Sequence, residues 1–266
     1  MNPQSVILGI VQGITEFLPV SSSGHLILIP EIFNWNDQGM AFDVVVHLGT
    51  LVAIIFAFRQ KIAKMLKAII GQGRGQEKQS RLSGLIILSI IPAALAGYLF
   101  NDYIEANFRS KTVVVVSLIF WAIVLWLADR RFTHTRRHTK TSSSVTIPQT
   151  ITVALSQAIA LIPGTSRSGI TMSAGLFSKM DRSTAVEFSF LISIPIIALA
   201  GLWELFILFK TGFNGVEIGG LITGFIASAL SGFVAIKFLL SFVKRWGFGL
   251  FVFYRIALGA LILILL

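Results

Sequence analysis

The stretch Val11-Gln12-Gly13-Ile14-Thr15-Glu16-Phe17-Leu18-Pro19-Val20-Ser21-Ser22-Ser23-Gly24-His25 decides the fold, because the chain returns to it at Ser156-Gln157-Ala158-Ile159-Ala160-Leu161-Ile162-Pro163-Gly164-Thr165-Ser166-Arg167-Ser168-Gly169. Each copy is an apolar helical run carrying a Gln, broken at a Pro, followed by Ser-x-Ser-Gly and a second apolar run. A shift of 145 positions superposes Gln12 on Gln157, Ser21 on Ser166, Ser23 on Ser168 and Gly24 on Gly169. Self-similarity of this kind marks an internal repeat. Unwound, polar backbone at membrane depth is tolerated only where it faces protein or a wet cavity, so the two tips are where function is expected.

Outward from these motifs the chain is apolar. With 55% hydrophobic and 13% charged residues among 266, it reads as a polytopic membrane protein rather than a soluble domain. There is no cysteine, which excludes disulfides and thiolate chemistry. The net charge of +10 lies between apolar spans rather than along one soluble face, so it reads as a topology signal and not as a nucleic-acid surface. No cleavable leader is expected, because the first cation is Arg59 and the early apolar run is interrupted at Ser21 to His25.

Six apolar runs are long enough to cross, or nearly cross, a hydrocarbon core: Asp43 to Phe58, Ser83 to Phe100, Thr112 to Ala128, Val186 to Trp203, Ile218 to Ile236 and Phe248 to Leu266. Cations crowd the segments after the first span (Arg59, Lys61, Lys64, Lys67, Arg74, Lys78, Arg81) and after the third (Arg130, Arg131, Arg136, Arg137, Lys140), which places both in the cytoplasm. The loop between them, Asn101 to Lys111, balances Arg109 and Lys111 against Asp102 and Glu105 and faces outward. The second motif, Thr150 to Phe177, enters and leaves on the basic side. The first, Ser5 to Phe33, lies in a stretch without Lys or Arg and enters from the outside. Each half is then a hairpin plus three spans, and an odd number reverses the orientation of the second half.

The expected fold is therefore an all-α integral membrane protein. Six transmembrane helices and two re-entrant helical hairpins form an inverted-topology repeat, with halves 1–128 and 150–266 joined by the basic segment 129–149. Both termini are expected outside. This topology leaves Arg167 and Arg255 as the two of 22 cations at membrane depth. A guanidinium there costs roughly 2.5–3.5 kcal/mol even on the lenient insertion scale, so each needs an anionic partner, snorkelling or a structural ion pair.

Glu16 lies four residues after Gln12, which puts both side chains on one helical face just before the break at Pro19. Ser21, Ser22 and Ser23 offer hydroxyls at the first tip and His25 opens the returning limb. Thr165, Ser166, Arg167, Ser168 and Thr171 do the same at the second. Two returning limbs starting at one place aim positive dipole ends and uncommitted N–H groups at a common spot, an anion site. Arginine and a ring of hydroxyls suit phosphate oxygens. Glu16 and Gln12 would repel bare phosphate, which argues for a divalent cation between them and the anion. His25 with a neighbouring hydroxyl resembles a nucleophile and its base. His47, alone in the first span, reads as structural. A kinked-helix satisfier role for the serines, and a polar clasp between Gln12 and Glu16, are the plainer alternatives for single residues.

Gln12-x-x-x-Glu16, Pro19 to His25 and Pro163 to Gly169, in this order and with the Tyr254-Arg255 pair near the end, closely resemble the bacterial undecaprenyl pyrophosphate phosphatase family of the bacitracin-resistance type. The resemblance covers essentially the whole chain. It implies an integral inner-membrane enzyme removing the terminal phosphate of undecaprenyl diphosphate, the C55 isoprenyl lipid released in cell-wall synthesis. It also implies a divalent cation, Mg2+ or Ca2+, and a cleft open to the periplasmic side. Carried onto this chain, the acidic motif falls on Gln12 and Glu16, the candidate nucleophile on Ser22, the histidine on His25, and the phosphate-gripping arginine on Arg167 beside Ser166. Ser21, Ser23, Thr165, Ser168, Thr171 and Arg255 are the further candidate phosphate ligands. The first acidic position is commonly Glu in the family and Gln here, which favours Glu16 as metal ligand. Whether His25 or Ser22 attacks phosphorus stays open, as does assembly into a homodimer. A lipid flippase or secondary transporter is the rival class, since inverted repeats with broken helices serve transport as well.

Overall fold

The computed structural model describes residues 3–36, 38–71, 77–108, 110–135, 145–211 and 217–265, and among them every regular element is a helix. In chain order these are α1 (Pro3–Phe17), α2 (Ser22–Ile32), α3 (Met40–Ala57), α4 (Arg59–Ile69), α5 (Glu77–Phe108), α6 (Lys111–Thr135), α7 (Ile147–Ile159), α8 (Arg167–Phe177), α9 (Arg182–Thr211), α10 (Ile218–Trp246) and α11 (Gly249–Leu265). Five contain stretches long and apolar enough to cross a bilayer: α3, α5 (Glu77–Phe100), α6 (Lys111–Arg131), α9 (Arg182–Lys210) and α10. The sixth expected span, α11, is apolar but only 17 residues long. That is about 26 Å at 1.5 Å per residue, a little less than a hydrocarbon core of about 30 Å.

Both broken motifs break where a proline forbids helix. α1 stops at Phe17, two residues before Pro19, and α2 begins at Ser22; α7 stops at Ile159, ahead of Pro163, and α8 begins at Arg167. The repeat-related serines at the two N-caps hold the same left-handed backbone, Ser21 at φ 75, ψ 92 and Ser166 at φ 69, ψ 102. Such a conformation is costly for a residue with a Cβ and persists only where the surroundings impose it. Gly164, at φ 86, turns the second tip, and a Cβ there would run into the Val114 carbonyl.

Small residues set how the limbs dock. Gly220, Gly224, Ser228 and Gly232 recur every fourth residue on α10 and form a flat face. A Cβ on Gly9 of α1 would lie 2.5 Å from the Gly224 carbonyl oxygen, and one on Gly13 would collide with Ser231 and Ser228. Gly49 of α3 meets Ser228 as closely on the neighbouring side. Because Gly9 faces Gly224 while Phe17 reaches Gly232, α1 runs parallel to α10 and ends beside a point ~21 Å along it. In the other half α7 packs on α5, and Gln157 Nε2 donates to the Ser89 carbonyl at 3.3 Å. α3 against α9 and α6 against α11 complete the assembly. The apolar core beneath the tips includes Phe17, edge-on to Phe190 at 5.5 Å, with Phe58 against the same ring at 6.2 Å.

Two segments differ from the sequence reading. The basic stretch after the first span contains a helix, α4, because Ile62 and Met65 recur at helical spacing and pack on the core, while Arg59, Lys64 and Lys67 are exposed and Lys61 reaches Glu187 of α9. α5 continues through Phe108, where a loop was expected to begin at Asn101. Arg74, Arg109, Arg136, Arg137, His138, Lys140 and the rest of residues 136–144 within the joining segment 129–149 lie outside the described residues.

Candidate active site

Glu16 is the point at which the two tips meet. It closes α1, and its carboxylate is only 7% exposed. Oε1 accepts from Arg167 Nη2 at 2.9 Å, across 151 residues of sequence. Oε2 accepts from Ser22 Oγ at 2.7 Å and from Gln12 Nε2 at 3.1 Å, the last being the i, i+4 neighbour on the same helical face. Every donor thus arrives from an element whose start or end the breaks define: α1, the first turn of α2 and the first turn of α8. Charge-assisted bonds of this length, largely withdrawn from water, are the strong class.

Two polar atoms of this cluster are unsatisfied. Arg167 Nη1 and Gln12 Oε1 are buried and lack a hydrogen-bond partner. A buried donor or acceptor left bare costs about 1–3 kcal/mol, and each such group needs a reason. The pair has opposite character: Nη1 seeks an anion, and Oε1 seeks a proton donor or a cation. α2 also presents first-turn N–H groups beside Ser22 with no side-chain cap from Ser21. A group with several anionic oxygens answers these donors.

His25 stands one helical turn beyond Ser22. Its Nδ1 lies 2.7 Å from the Ser21 carbonyl oxygen and its Nε2 2.6 Å from the Tyr254 hydroxyl. The carbonyl can only accept, so Nδ1 carries the proton and the phenol donates to Nε2. The Tyr254 ring lies parallel to the imidazole at 5.6 Å. Ser22 therefore bonds Glu16 and not His25, although the two share one helix face.

The other tip hydroxyls are mostly committed to structure. Ser166 Oγ caps α8 by accepting from the Gly169 N–H at 3.2 Å and lies 3.3 Å from Ser168 Oγ. Ser168 crosses to the first tip, donating to the Leu18 carbonyl at 3.0 Å. Thr165 pairs with Ser117 at 3.1 Å, and Thr171 with Ser189 at 2.7 Å while also donating to the Arg167 carbonyl. Ser21 is buried and Ser23 exposed, their hydroxyls 3.4 Å apart. Ser22 and Ser23 are the tip hydroxyls with surface to offer.

Arg255 was expected to reach phosphate, but its donors are spent elsewhere. Fully buried in α11, it donates through Nε to Leu118 O, through Nη1 to Pro19 O, and through Nη2 to Gly164 O and Thr165 O, at 3.0–3.4 Å. The guanidinium clamps both tips by their backbones. Gly169 keeps room for it, since a Cβ there would lie 2.9 Å from Nη1.

Two further neighbours of the site escape a reading by spacing alone. His47 was expected to be structural, yet its Nε2 stands 3.9 Å from Glu16 Oε2, aimed there because Nδ1 bonds the Asp43 carbonyl at 2.7 Å. Tyr254 comes from 229 residues away. A histidine at membrane depth in α3 was the available signal for the first, and the polar Tyr254-Arg255 pair inside an apolar run for the second.

Glu16 and Gln12 Oε1 are hard oxygen ligands on one face and suit a Mg2+- or Ca2+-type ion. No group of three His, Asp or Glu side chains converges among the described residues, so phosphate oxygens or water would have to complete the shell.

Several helices long and apolar enough to span a membrane, joined at a buried carboxylate–guanidinium pair rimmed by hydroxyls and one bare guanidinium nitrogen, define a polytopic membrane protein with a buried polar centre. The chain belongs to the family described as bacitracin resistance protein BacA, whose model matches residues 5–261. It is 45% identical over 263 residues to a Hahella chejuensis protein named undecaprenyl-diphosphatase, covering 97% of this chain and 96% of that one. Proteins of the same name from Teredinibacter turnerae (43%, covering 97% of each chain) and Moorella thermoacetica (45%, covering 97% and 95%) are similarly related.

Proposed function

We propose that this chain is an undecaprenyl-diphosphate phosphatase, hydrolysing the terminal phosphate of the C55 isoprenyl diphosphate and returning the monophosphate carrier to cell-wall synthesis. The observation that carries this reading is the Glu16–Arg167–Ser22 cluster with Arg167 Nη1 buried and bare, a place prepared for phosphoryl oxygens. The names of the full-length relatives agree with it.

Ser22 Oγ attacks the terminal phosphorus, its proton passing to Glu16 at 2.7 Å. The bond from phosphorus to the bridging oxygen breaks and isoprenyl monophosphate leaves. Water then cleaves the phosphoserine, giving inorganic phosphate and restoring the hydroxyl. Arg167 Nη1 and the uncapped N–H groups of α2 receive charge as it builds on the phosphoryl oxygens. His25, held by Ser21 and Tyr254, faces the same phosphate and is the other candidate for attack. A divalent cation held by Glu16 and Gln12, when bound, would neutralise phosphate charge.

The fold reading that accompanies this is an inverted repeat with two re-entrant hairpins in the bacterial inner membrane, termini and cleft toward the periplasm. Three observations support it. α1 ends beside the middle of α10, the repeat-related Ser21 and Ser166 share one strained backbone, and repeat-related Gln12 and Gln157 are both buried with a bare Oε1.

The test is phosphate release from farnesyl or undecaprenyl diphosphate by the purified chain in detergent, with Mg2+ or Ca2+ and with EDTA. Activity lost in Arg167→Ala and His25→Ala, and abolished by EDTA, is expected; no release by the intact protein refutes the function. An acid-stable phosphate adduct on Ser22 is expected after quenching, whereas an acid-labile one on His25 transfers the attack to the imidazole.

A further inference from the structure

Away from the tips, four segments of chain line an open polar cavity of about 460 Å³ at the Lys/Arg-rich end of the molecule. Arg59, Lys61 and Lys64 come from α4, Gln79 from α5, Glu187 from α9 and Lys237 from α10. Four cations thus face one carboxylate, and Lys61 already takes it, Nζ to Glu187 Oε1 at 2.6 Å. Arg59, Lys64 and Lys237 remain without an acid in the lining. Like charges gathered in one cavity repel, and their arrangement here is not left to chance. The rings of Phe56 and Phe233 touch at 5.5 Å between α3 and α10. Arg59 lies over the first ring at 4.5 Å and Lys237 over the second at 5.6 Å. Two helices therefore hold two cations side by side through a pair of packed rings. Apolar surface adjoins the charges: Phe56, beneath Arg59, is exposed, and so are Val234 and Phe238, which flank Lys237 in sequence on α10 and line the apolar groove between α10 and α1.

We propose that this cavity binds the phosphate headgroup of an anionic phospholipid, with Arg59, Lys64 and Lys237 on the phosphate and the acyl chains against Phe56, Val234 and Phe238. Basic pockets between membrane helices take anionic lipid heads for these reasons. A free phosphate ion would satisfy the cations but leave the adjoining apolar wall unused. The site is separate from the Glu16–Arg167 cluster and shares no residue with it.

The test uses the full chain in nanodiscs of phosphatidylcholine with or without phosphatidylglycerol, with lipid retained on the protein counted by native mass spectrometry. At about fivefold per cation near the headgroup, Arg59→Gln/Lys237→Gln should lower phosphatidylglycerol retention roughly thirtyfold. Arg59→Lys/Lys237→Arg should restore it, and Lys244→Gln, outside the cavity, should leave it unchanged. A melting curve in detergent with inorganic phosphate forms the second arm and should show no shift that depends on Arg59 and Lys237. Equal retention by the intact and Gln-substituted chains, equal retention of the two lipids, or a phosphate-induced shift lost in the Gln variant would each overturn the proposal.

Discussion

Replacing Arg167 by Lys separates the two tasks assigned to its guanidinium. One nitrogen bonds Glu16 at 2.9 Å and another is buried with no partner. A lysine ammonium keeps the charge but is a point donor without the planar fork, so it can hold Glu16 or the phosphate and not both in the same geometry. Loss of one pre-aligned donor to developing oxyanion charge is worth about 2.7–4 kcal/mol, or roughly 10²–10³ in kcat. Arg167→Lys should therefore keep its melting temperature and lose that factor. Arg167→Ala removes the bond to Glu16 and the donor kept for phosphate, and leaves the Glu16 carboxylate without its cation in a site where its side chain is 7% exposed, a loss of about 3–5 kcal/mol of stability on top of the lost activity. The double variant Arg167→Ala/Glu16→Gln removes the stranded charge, so it should regain most of the stability and none of the turnover. The assay is inorganic phosphate release from farnesyl diphosphate in detergent, read beside thermal unfolding of the same samples. An Arg167→Lys enzyme within about threefold of the parent, or a double variant that regains activity, would refute the role given to Nη1.

Tyr254→Phe keeps the ring beside His25 but removes the hydroxyl at 2.6 Å, a neutral bond worth about 0.5–1.5 kcal/mol, so phosphate release should fall by roughly two- to tenfold. His47 reaches Glu16 only at 3.9 Å and its side chain is 33% exposed, so His47→Ala should cost less than about fivefold in kcat/KM. A larger loss would make His47 a direct participant. Gly13→Ala overpacks the α1–α10 contact, where a Cβ meets Ser231 and Ser228, and should lower stability by about 1–3 kcal/mol, read as a fall in melting temperature. Arg255→Gln leaves several tip carbonyls without their donors, and both thermal stability and turnover should drop, with no gain from added phosphate.

What local sequence determines here is the pair of breaks and their chemistry. Pro19 and Pro163, each followed by a Ser- and Gly-rich tip, disfavour continued helix, Gln12 and Glu16 share a face by helical period alone, and an offset of 145 residues relates the tips. From these Gln12, Glu16, Ser22, His25 and Arg167 could be named as candidates, but not His47 or Tyr254 as their neighbours. What only the tertiary structure decided is which group each buried polar atom meets. Glu16 takes Arg167 across 151 residues, and His25 takes Tyr254 across 229. Arg255, equally plausible as a phosphate ligand from its depth in the chain, spends its donors on four backbone carbonyls instead. His47 changes from bystander to neighbour of Glu16 only because the glycine and serine face of α10 draws α1 and α3 against adjoining sides of one helix. A buried polar group must be satisfied within about 3 Å, and spacing along a chain carries no information at that range between segments far apart.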